Sequence, residues 1–452
     1  MILYEWTRPF NQWTSAYLYG TDILLGLLLI FGLMRSLKIN SGRIFNFAYS
    51  AEAASAAKAG QFSIFNEFSI SKFLNSSSFW LGVFFAISAI SIFNSRIIGL
   101  SFYQLLKLAE FIGFYFYLRM NLGKIFSFQG VLVTIIASGF FQAVIAIVQY
   151  IKQESIGLRL LGESPLSINA IGVAVFVADG VKYLRAYGTT PHPNVLAAWL
   201  FVAIFAFYFY FFYLGKKSNP SETQPAIFAG WVKEGAPLAI YAVLLFAFFF
   251  TFSRVIIGLW LVGIAARLLI AFLRKDLRGF FAVAKKPLLT LFITTVVVVG
   301  AFFVMFWPQV KSRIYISAQE EAVTQRVFYN KLASSVAASH PLLGVGIGQF
   351  IPGMITKFKN LPAVAYQPVH NIYLLIVSET GFLGLGAFLL FLFFVFWRFI
   401  HVADFKKLYT FSFLIFIFSF LLIGLFDHFL WTSQQGSLIF WMALALLSID
   451  FS

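Results

Sequence analysis

His370–Trp397 reads HNIYLLIVSETGFLGLGAFLLFLFFVFW. After the opening His370-Asn371 pair, the run carries one acidic or basic side chain, Glu379. It is long enough to cross a bilayer, which needs about 20 mostly apolar residues. Similar runs recur on both sides of it. Candidate spans lie at roughly 17–34, 79–95, 98–118, 129–150, 194–214, 236–252, 254–273, 288–307, 371–397, 408–426 and 436–450. The reading is an all-α polytopic membrane protein with about 10–12 transmembrane helices. Residues 1–452 form a single integral membrane domain without an internal repeat.

Composition agrees. Of 452 residues, 60% are hydrophobic and 11% charged, against about 25% charged in a soluble domain. Mean hydropathy is +0.87. No soluble fold could hide so much apolar surface, so lipid must be its solvent. The 60 phenylalanines suit lipid-facing and interhelical positions and carry no chemical message. A net charge of +16 in a soluble protein would point to nucleic acid. Here most Lys and Arg sit in short segments between apolar runs, where the positive-inside rule puts them, so no nucleic-acid partner follows. Cysteine is absent, which excludes a disulfide framework and a thiolate metal site. Met1–Phe10 is short and no A-x-A site follows an early apolar core. The first apolar helix is therefore expected to serve as an uncleaved targeting signal.

Basic connections orient the chain. Arg119/Lys124, Lys216/Lys217/Lys233, Arg274/Lys275/Arg278/Lys285/Lys286 and Arg398/Lys406/Lys407 are expected in the cytoplasm. Connections 151–193, Ser253-Arg254, 308–370 and 427–435 then face outward. Segment 35–78 also reads as cytoplasmic, through Arg35, Lys38 and Arg43. That puts the N-terminus outside, so either a short N-terminal element is re-entrant or one span there is miscounted. The two long outward loops are themselves basic. An anionic ligand on that face would account for this; so would the tolerance of long loops for charge during translocation.

The loop 308–370 is expected to be partly helical, with a short helix around 318–339. Ser317-Ala318-Gln319-Glu320 fits a capping box. Phe328, Leu332 and Val336 recur at i, i+4, i+8 as an apolar stripe, with Arg326 on roughly the opposite face. The helix should stop at His340, because Pro341 disfavours helical geometry before it. Gly344, Gly346 and Gly348 then read as tight turns.

Four clusters are candidates for chemistry: Arg185 to Asn194, with His192-Pro193-Asn194 leading into a span; Thr251 to Arg254; Arg326 followed by His340 to Gly346; and His370-Asn371 with Glu379, Gly381 and Gly384. An arginine at the end of an apolar hairpin is expensive unless it meets water, lipid phosphate or an anion, although snorkelling to headgroups would also serve. Its planar fork matches phosphate oxygens and never deprotonates. Arg185, Arg254 and Arg326 therefore suit a diphosphate clamp if the fold brings them together. His370 titrates near neutrality and could move a proton to or from a sugar hydroxyl; a lone histidine at a membrane boundary is more often structural. His192 and His340 sit beside prolines and serve equally as turn residues. Glu379, inside a span, calls for a partner, an arginine of another helix or nearby hydroxyls. Lys107 and Glu110, spaced i, i+3, can neutralise each other. Asp427-His428 either supports the site or caps a helix. The histidines are far apart in sequence and no HExxH pattern occurs, which argues against zinc; no metal or cofactor is expected.

In this order, the clusters resemble those of the O-antigen ligase/polymerase family. The likeness spans about Arg185 to Gly386 and rests on His192-Pro193-Asn194, Ser253-Arg254, Arg326 with His340 to Gly346, and His370-Asn371 with Glu379, Gly381 and Gly384. It implies a metal-independent, GT-C-type glycosyltransferase of the bacterial cytoplasmic membrane, its active site facing the periplasm or cell exterior. The donor would be a glycan on undecaprenyl diphosphate, and the acceptor a glycan, glycolipid or protein. By that likeness Arg254, Arg326 and His370 would be catalytic, with Arg185, His192, Asn194, Asn371 and Glu379 at the substrate. Ligase, polysaccharide polymerase and protein O-glycosyltransferase share this donor chemistry. The rival reading is a transporter or flippase of lipid-linked glycans, but transporters usually concentrate polar residues and broken helices near the midplane. Here they cluster at one face.

Overall fold

The computed structural model describes residues 2–5, 17–30, 76–122, 125, 127–211, 236–273, 278–315, 320–402 and 408–448. Most basic residues used to orient the chain, the segment 35–75 and Ser317–Gln319 lie outside these residues.

A helix occupies each of the eleven expected spans. In chain order they are α1 (Gly20–Ile30), α2 (Ser77–Ser91), α3 (Ile98–Asn121), α4 (Phe128–Lys152), α5 (Pro193–Phe209), α6 (Ala236–Phe250), α7 (Arg254–Leu273) and α8 (Arg278–Met305). Between α8 and the last three lie α9 (Trp307–Ile314), α10 (Glu321–Ser339) and α11 (Phe350–Lys357). The chain closes with α12 (Ile372–Val402), α13 (Leu408–Phe426), the short α14 (Phe429–Thr432) and α15 (Gln434–Leu447). By length and apolarity together, three stretches among the described residues suffice alone to cross a membrane: Ser77–Asn94, Phe128–Lys152 and Ile372–Val402. Leu289–Met305 with Trp307–Ile314 is a fourth if the pair, bent by 92°, is one span. Several others are shorter apolar helices.

Helix α5 is apolar all round, and its residues from Val195 to Phe209 are buried, apart from the partly buried Trp199. A helix of that kind belongs in the middle of a bundle, and α4, α6, α7 and α15 pack around it. Helix α12 lies along α2 and carries α10 on its first turns. A second apolar core, with Tyr329, Leu332, Ala333, Phe350, Tyr366, Val369 and Leu375, seats the segment 321–370 on that end of α12.

The all-α expectation missed two short ribbons. Strands β1 (Ile2–Glu5) and β2 (Tyr17–Tyr19) pair antiparallel. Strands β3 (Val175–Ala178) and β4 (Val181–Leu184) form a hairpin. Its turn is Asp179-Gly180, both at positive φ (47° and 80°). That is the turn whose twist matches paired strands.

Two local expectations are corrected and a third, the glycine turns, is extended. Glu320 makes no side-chain cap to α10, because its carboxylate is held by Arg254. The buried stripe of α10 is Tyr329, Leu332, Ala333 and Ala337, while Phe328 is 41% exposed. Arg326, spaced i, i+3, i+7, i+11 with Tyr329, Ala333 and Ala337, therefore lies on the packed side and not opposite it. Finally, Gly344 and Gly381 do more than form turns. Val345 N–H donates to the Ser378 carbonyl (3.0 Å) and Gly346 N–H to that of Glu379 (2.9 Å). Phe382 N–H donates to the Pro341 carbonyl (2.7 Å). The Pro341–Gly346 loop thus plugs a break in α12 at Gly381, whose φ is 70°.

Candidate functional site

Arg185 to Asn194, Thr251 to Arg254, Arg326 and His370 come together at one end of the bundle, where α5, α7 and α12 begin and α6 and α13 end. His340, at the far end of α10 from Arg326, lines a separate cavity with Arg96 and Gln349. Arg185, entering from β4, is buried. Its Nε–H donates to the Thr251 carbonyl (2.7 Å) and an Nη2–H to Asn194 Oδ1 (2.6 Å). The Asn194 amide in turn donates to Asp427 Oδ2 (2.6 Å). Asp427 Oδ1 accepts the backbone N–H of His428 (2.8 Å) and Phe429 (3.4 Å). Asp427 thus caps α14 and anchors the polar chain at once. Burial, then the nearby Arg313, pull the Arg185 pKa down to about 9. The guanidinium remains charged at neutrality, but two of its donors already serve the protein.

Three imidazoles surround Asp427. His192 caps α5 with Nδ1, which accepts Asn194 N–H (3.1 Å) and therefore carries no proton. The His370 and His428 rings meet edge to face at 4.8 Å between centroids, and Tyr329 of α10 lies 6.2 Å from His370. Burial, followed by the Arg185 charge, drives His192 to about 3. Burial, with His370 beside it, drives His428 to about 3. Burial also lowers His370, opposed by Asp427 and assisted by Arg326. For Asp427, burial would raise the carboxyl, yet the imidazoles of His370, His428 and His192 and the Asn194 amide hold it at about 2. At neutral pH the centre is one carboxylate among neutral imidazoles. His370 Nδ1 is buried and has no hydrogen-bond partner among the described residues.

The histidines are distant in sequence but not in space. One ligand atom each from His370, Asp427 and His428 lie within 4.8 Å of one another, a spacing open to a metal ion. Separation in sequence therefore does not keep these residues from sharing an ion. Both Asp427 oxygens are already hydrogen-bonded, which weakens it as a ligand.

Beside this centre lies a cationic group. Arg254, at the start of α7, grips Glu320 with both Nη atoms (2.8 and 2.7 Å). Arg313 of α9 reaches the same carboxylate at 3.6 Å. Arg326 influences the ionisation of Arg313, Glu320, His192 and His370, so all are electrostatic neighbours. Phe252, which precedes this hairpin's arginine by two residues, holds φ 45°, a strained choice for a bulky side chain. Its ring packs on Phe176 at 4.6 Å.

A cavity of about 750 Å³ adjoins the centre, its wall including His192, His370, Glu379, Asp427, His428 and Trp431. Lys107 also lines it, pairing with Glu110 (3.0 Å) as their spacing allows and with Asp22 (2.5 Å). Arg185, Arg254, Arg313 and Arg326 are not part of this wall. Asn371 Oδ1 accepts the N–H of Tyr373 and Leu374 (2.9 and 3.1 Å), capping α12. Among the described residues, neither an arginine nor a hydroxyl pairs with Glu379. Its Oε1 accepts Phe350 N–H (3.2 Å) at the head of α11. Asp427, His428, Arg313 and Glu320 were not among the expected site residues. Asp427-His428 was visible as a pair at a helix end, whereas nothing local distinguished Arg313.

Fold and site together define an integral membrane protein with a histidine-rich, cationic centre at one end of its helix bundle. Residues 239–389 match the family described as O-antigen ligase. The matched segment holds Arg254, Arg326, His370, Glu379 and Gly381. No curated protein matches the chain.

Proposed function

We propose that the protein is a membrane glycosyltransferase that moves a glycan from an undecaprenyl-diphosphate carrier to an acceptor hydroxyl. The carrying observation is the nearness of two chemistries: an arginine cluster suited to a diphosphate, and the half-buried His370 imidazole in the wall of the adjoining cavity. The acceptor is a glycan, glycolipid or protein in that cavity. The cavity opens at the outward face of a bacterial cytoplasmic membrane, and the fold is of the GT-C type.

The acceptor oxygen bonds to the anomeric carbon of the donor sugar while its proton passes to His370. The bond from that carbon to the diphosphate breaks, and its electron pair leaves with the lipid diphosphate. Arg254 and Arg326 stabilise the charge that develops there, as fixed donors do best in a site where water is sparse. No metal is needed for this step. Asp427 holds the imidazole group. Arg185 and Asn194 act through Asp427 and Thr251, as positioning residues; His192, Asn371 and Glu379 shape the wall and the helix starts around it.

The test is transfer in vitro from a lipid-diphosphate glycan to candidate acceptors, comparing wild type with folded His370→Ala and Arg254→Ala. Product from wild type, with at least a hundredfold loss in either variant, is expected. Movement of the intact lipid-linked glycan across liposomes, with no acceptor glycosylated, would replace this reading by a flippase.

A further inference from the structure

Arg254 and Glu320 meet fork to fork, the geometry by which arginine also binds two phosphate oxygens. The pair is partly open to solvent, with side chains 21% and 26% exposed. A single carboxylate here faces Arg254, Arg313 and Arg326, which leaves an excess of positive charge. Burial first, then the Arg254 and Arg326 charges, lower the Arg313 pKa to about 10, against the pull of Glu320. Arg313 is also incompletely satisfied: its Nε is buried without a hydrogen-bond partner among the described residues. Burying such a donor unpaired costs free energy.

The fold puts Arg313 there deliberately. The 92° bend between α8 and α9 turns the chain back along β3. The guanidinium then lies 5.8 Å from the centre of the Phe176 ring, a cation–π seat that limits its freedom. That ring packs on Phe252, two residues before Arg254. Arg313 and Arg254 are thus held by one aromatic support, with their charged ends directed at the same carboxylate.

We propose that Arg313 is a third ligand for the donor's diphosphate, beside Arg254 and Arg326, and that Glu320 competes with that diphosphate for the fork of Arg254. This rests on the donor chemistry proposed above. Glu320 keeps the arginines apart and aligned, and a diphosphate, with more negative charge and more acceptor oxygens, displaces it. After transfer, Glu320 returns to Arg254 and helps expel the spent lipid diphosphate.

The experiment is binding of farnesyl diphosphate to the purified full-length protein in detergent, at fixed pH and salt. Arg313→Gln should weaken binding about tenfold, as loss of one charge-assisted contact does. Glu320→Gln should tighten it by about threefold to tenfold, since the competitor loses its charge. Inorganic pyrophosphate should displace the probe, and phosphatidylglycerol should not. Unchanged affinity in Arg313→Gln, with loss in Arg254→Gln, overturns the role of Arg313 and leaves the donor reading intact. Unchanged or weaker affinity in Glu320→Gln overturns the competition. Displacement by phosphatidylglycerol makes this a headgroup site and overturns both. Failure of wild type to bind, or full binding by Arg254→Gln and Arg326→Gln, removes the donor reading itself. If Arg313→Gln does not fold, Arg313→Lys replaces it, with weakening of at least threefold expected because an ammonium cannot make the fork.

Discussion

At the residue scale, the centre is a set of side chains whose partners decide their roles. His370 owes its lowered pKa first to burial, with Asp427 pulling the other way. If it accepts the acceptor's proton, transfer should fall as pH drops through a value below 6.5. Asp427→Asn removes the anion that favours the imidazolium, so the acid limb of the pH–rate profile should move lower still. A limb that stays in place or moves up would separate Asp427 from His370. Asn194 joins Arg185 to Asp427 through bonds of 2.6 Å on each side. Asn194→Ala leaves both buried charges short of a partner, and each such loss costs about 1–3 kcal/mol. A clear drop in melting temperature in detergent is expected, and an unshifted melt would show that the chain of contacts is dispensable.

At the element scale, the break in α12 is the main device. Gly381 lies at φ 70°, and a Cβ there would collide with the Leu342 carbonyl. A Cβ at Gly344, at φ 64°, would strike the Glu379 backbone. The loop and the helix therefore interlock only as glycines. Left-handed backbone at a residue with a side chain costs about 1–3 kcal/mol before any clash is added. Gly381→Ala should sharply reduce folded yield, whereas Gly386→Ala, where an added Cβ meets nothing within 4 Å, should express normally. Equal yields would mean the break is not required. The interlock also places His370 and Glu379 relative to α10 and α11. The β3–β4 hairpin carries a local sequence signal: Asp179-Gly180 between two short runs, Val175–Ala178 and Val181–Leu184, that contain valine and aromatic residues. The apolar period of the membrane helices dominated its surroundings, and the ribbon passed as loop.

Across the whole molecule, buried neutral histidines make the fold sensitive to acid. His192 and His428 have folded values near 3, and His370 is also lowered. An unfolded histidine binds its proton near pH 6.5. The unfolded chain therefore takes up more protons below that pH, and stability declines as pH falls from 6.5. By pH 5 each strongly lowered histidine should account for about 2 kcal/mol. Melting in detergent should drop steadily from pH 7 to pH 5, and His192→Asn should flatten the trend. A melt independent of pH over this range would mean that these rings are solvated or already charged.

What the amino-acid sequence determined by itself is the class and the inventory. Long apolar runs identify the spans, because bilayer thickness and backbone hydrogen bonding leave helices few alternatives. The motif residues from Arg254 to Gly384 were legible as a family likeness, because that pattern is local in the chain. Tertiary structure alone decided who touches whom. Glu320 looked like a helix cap and is Arg254's partner. Arg326 looked outward and lies on the packed face of α10. Arg313 looked like one more loop cation and joins Arg254 through the bend at α9. Histidines at 192, 370 and 428 converge on Asp427 because four helix ends meet there. Such pairings depend on where separate elements end in space, and one-dimensional periodicity does not contain that information. Their energies depend on burial, which is a property of the assembled bundle.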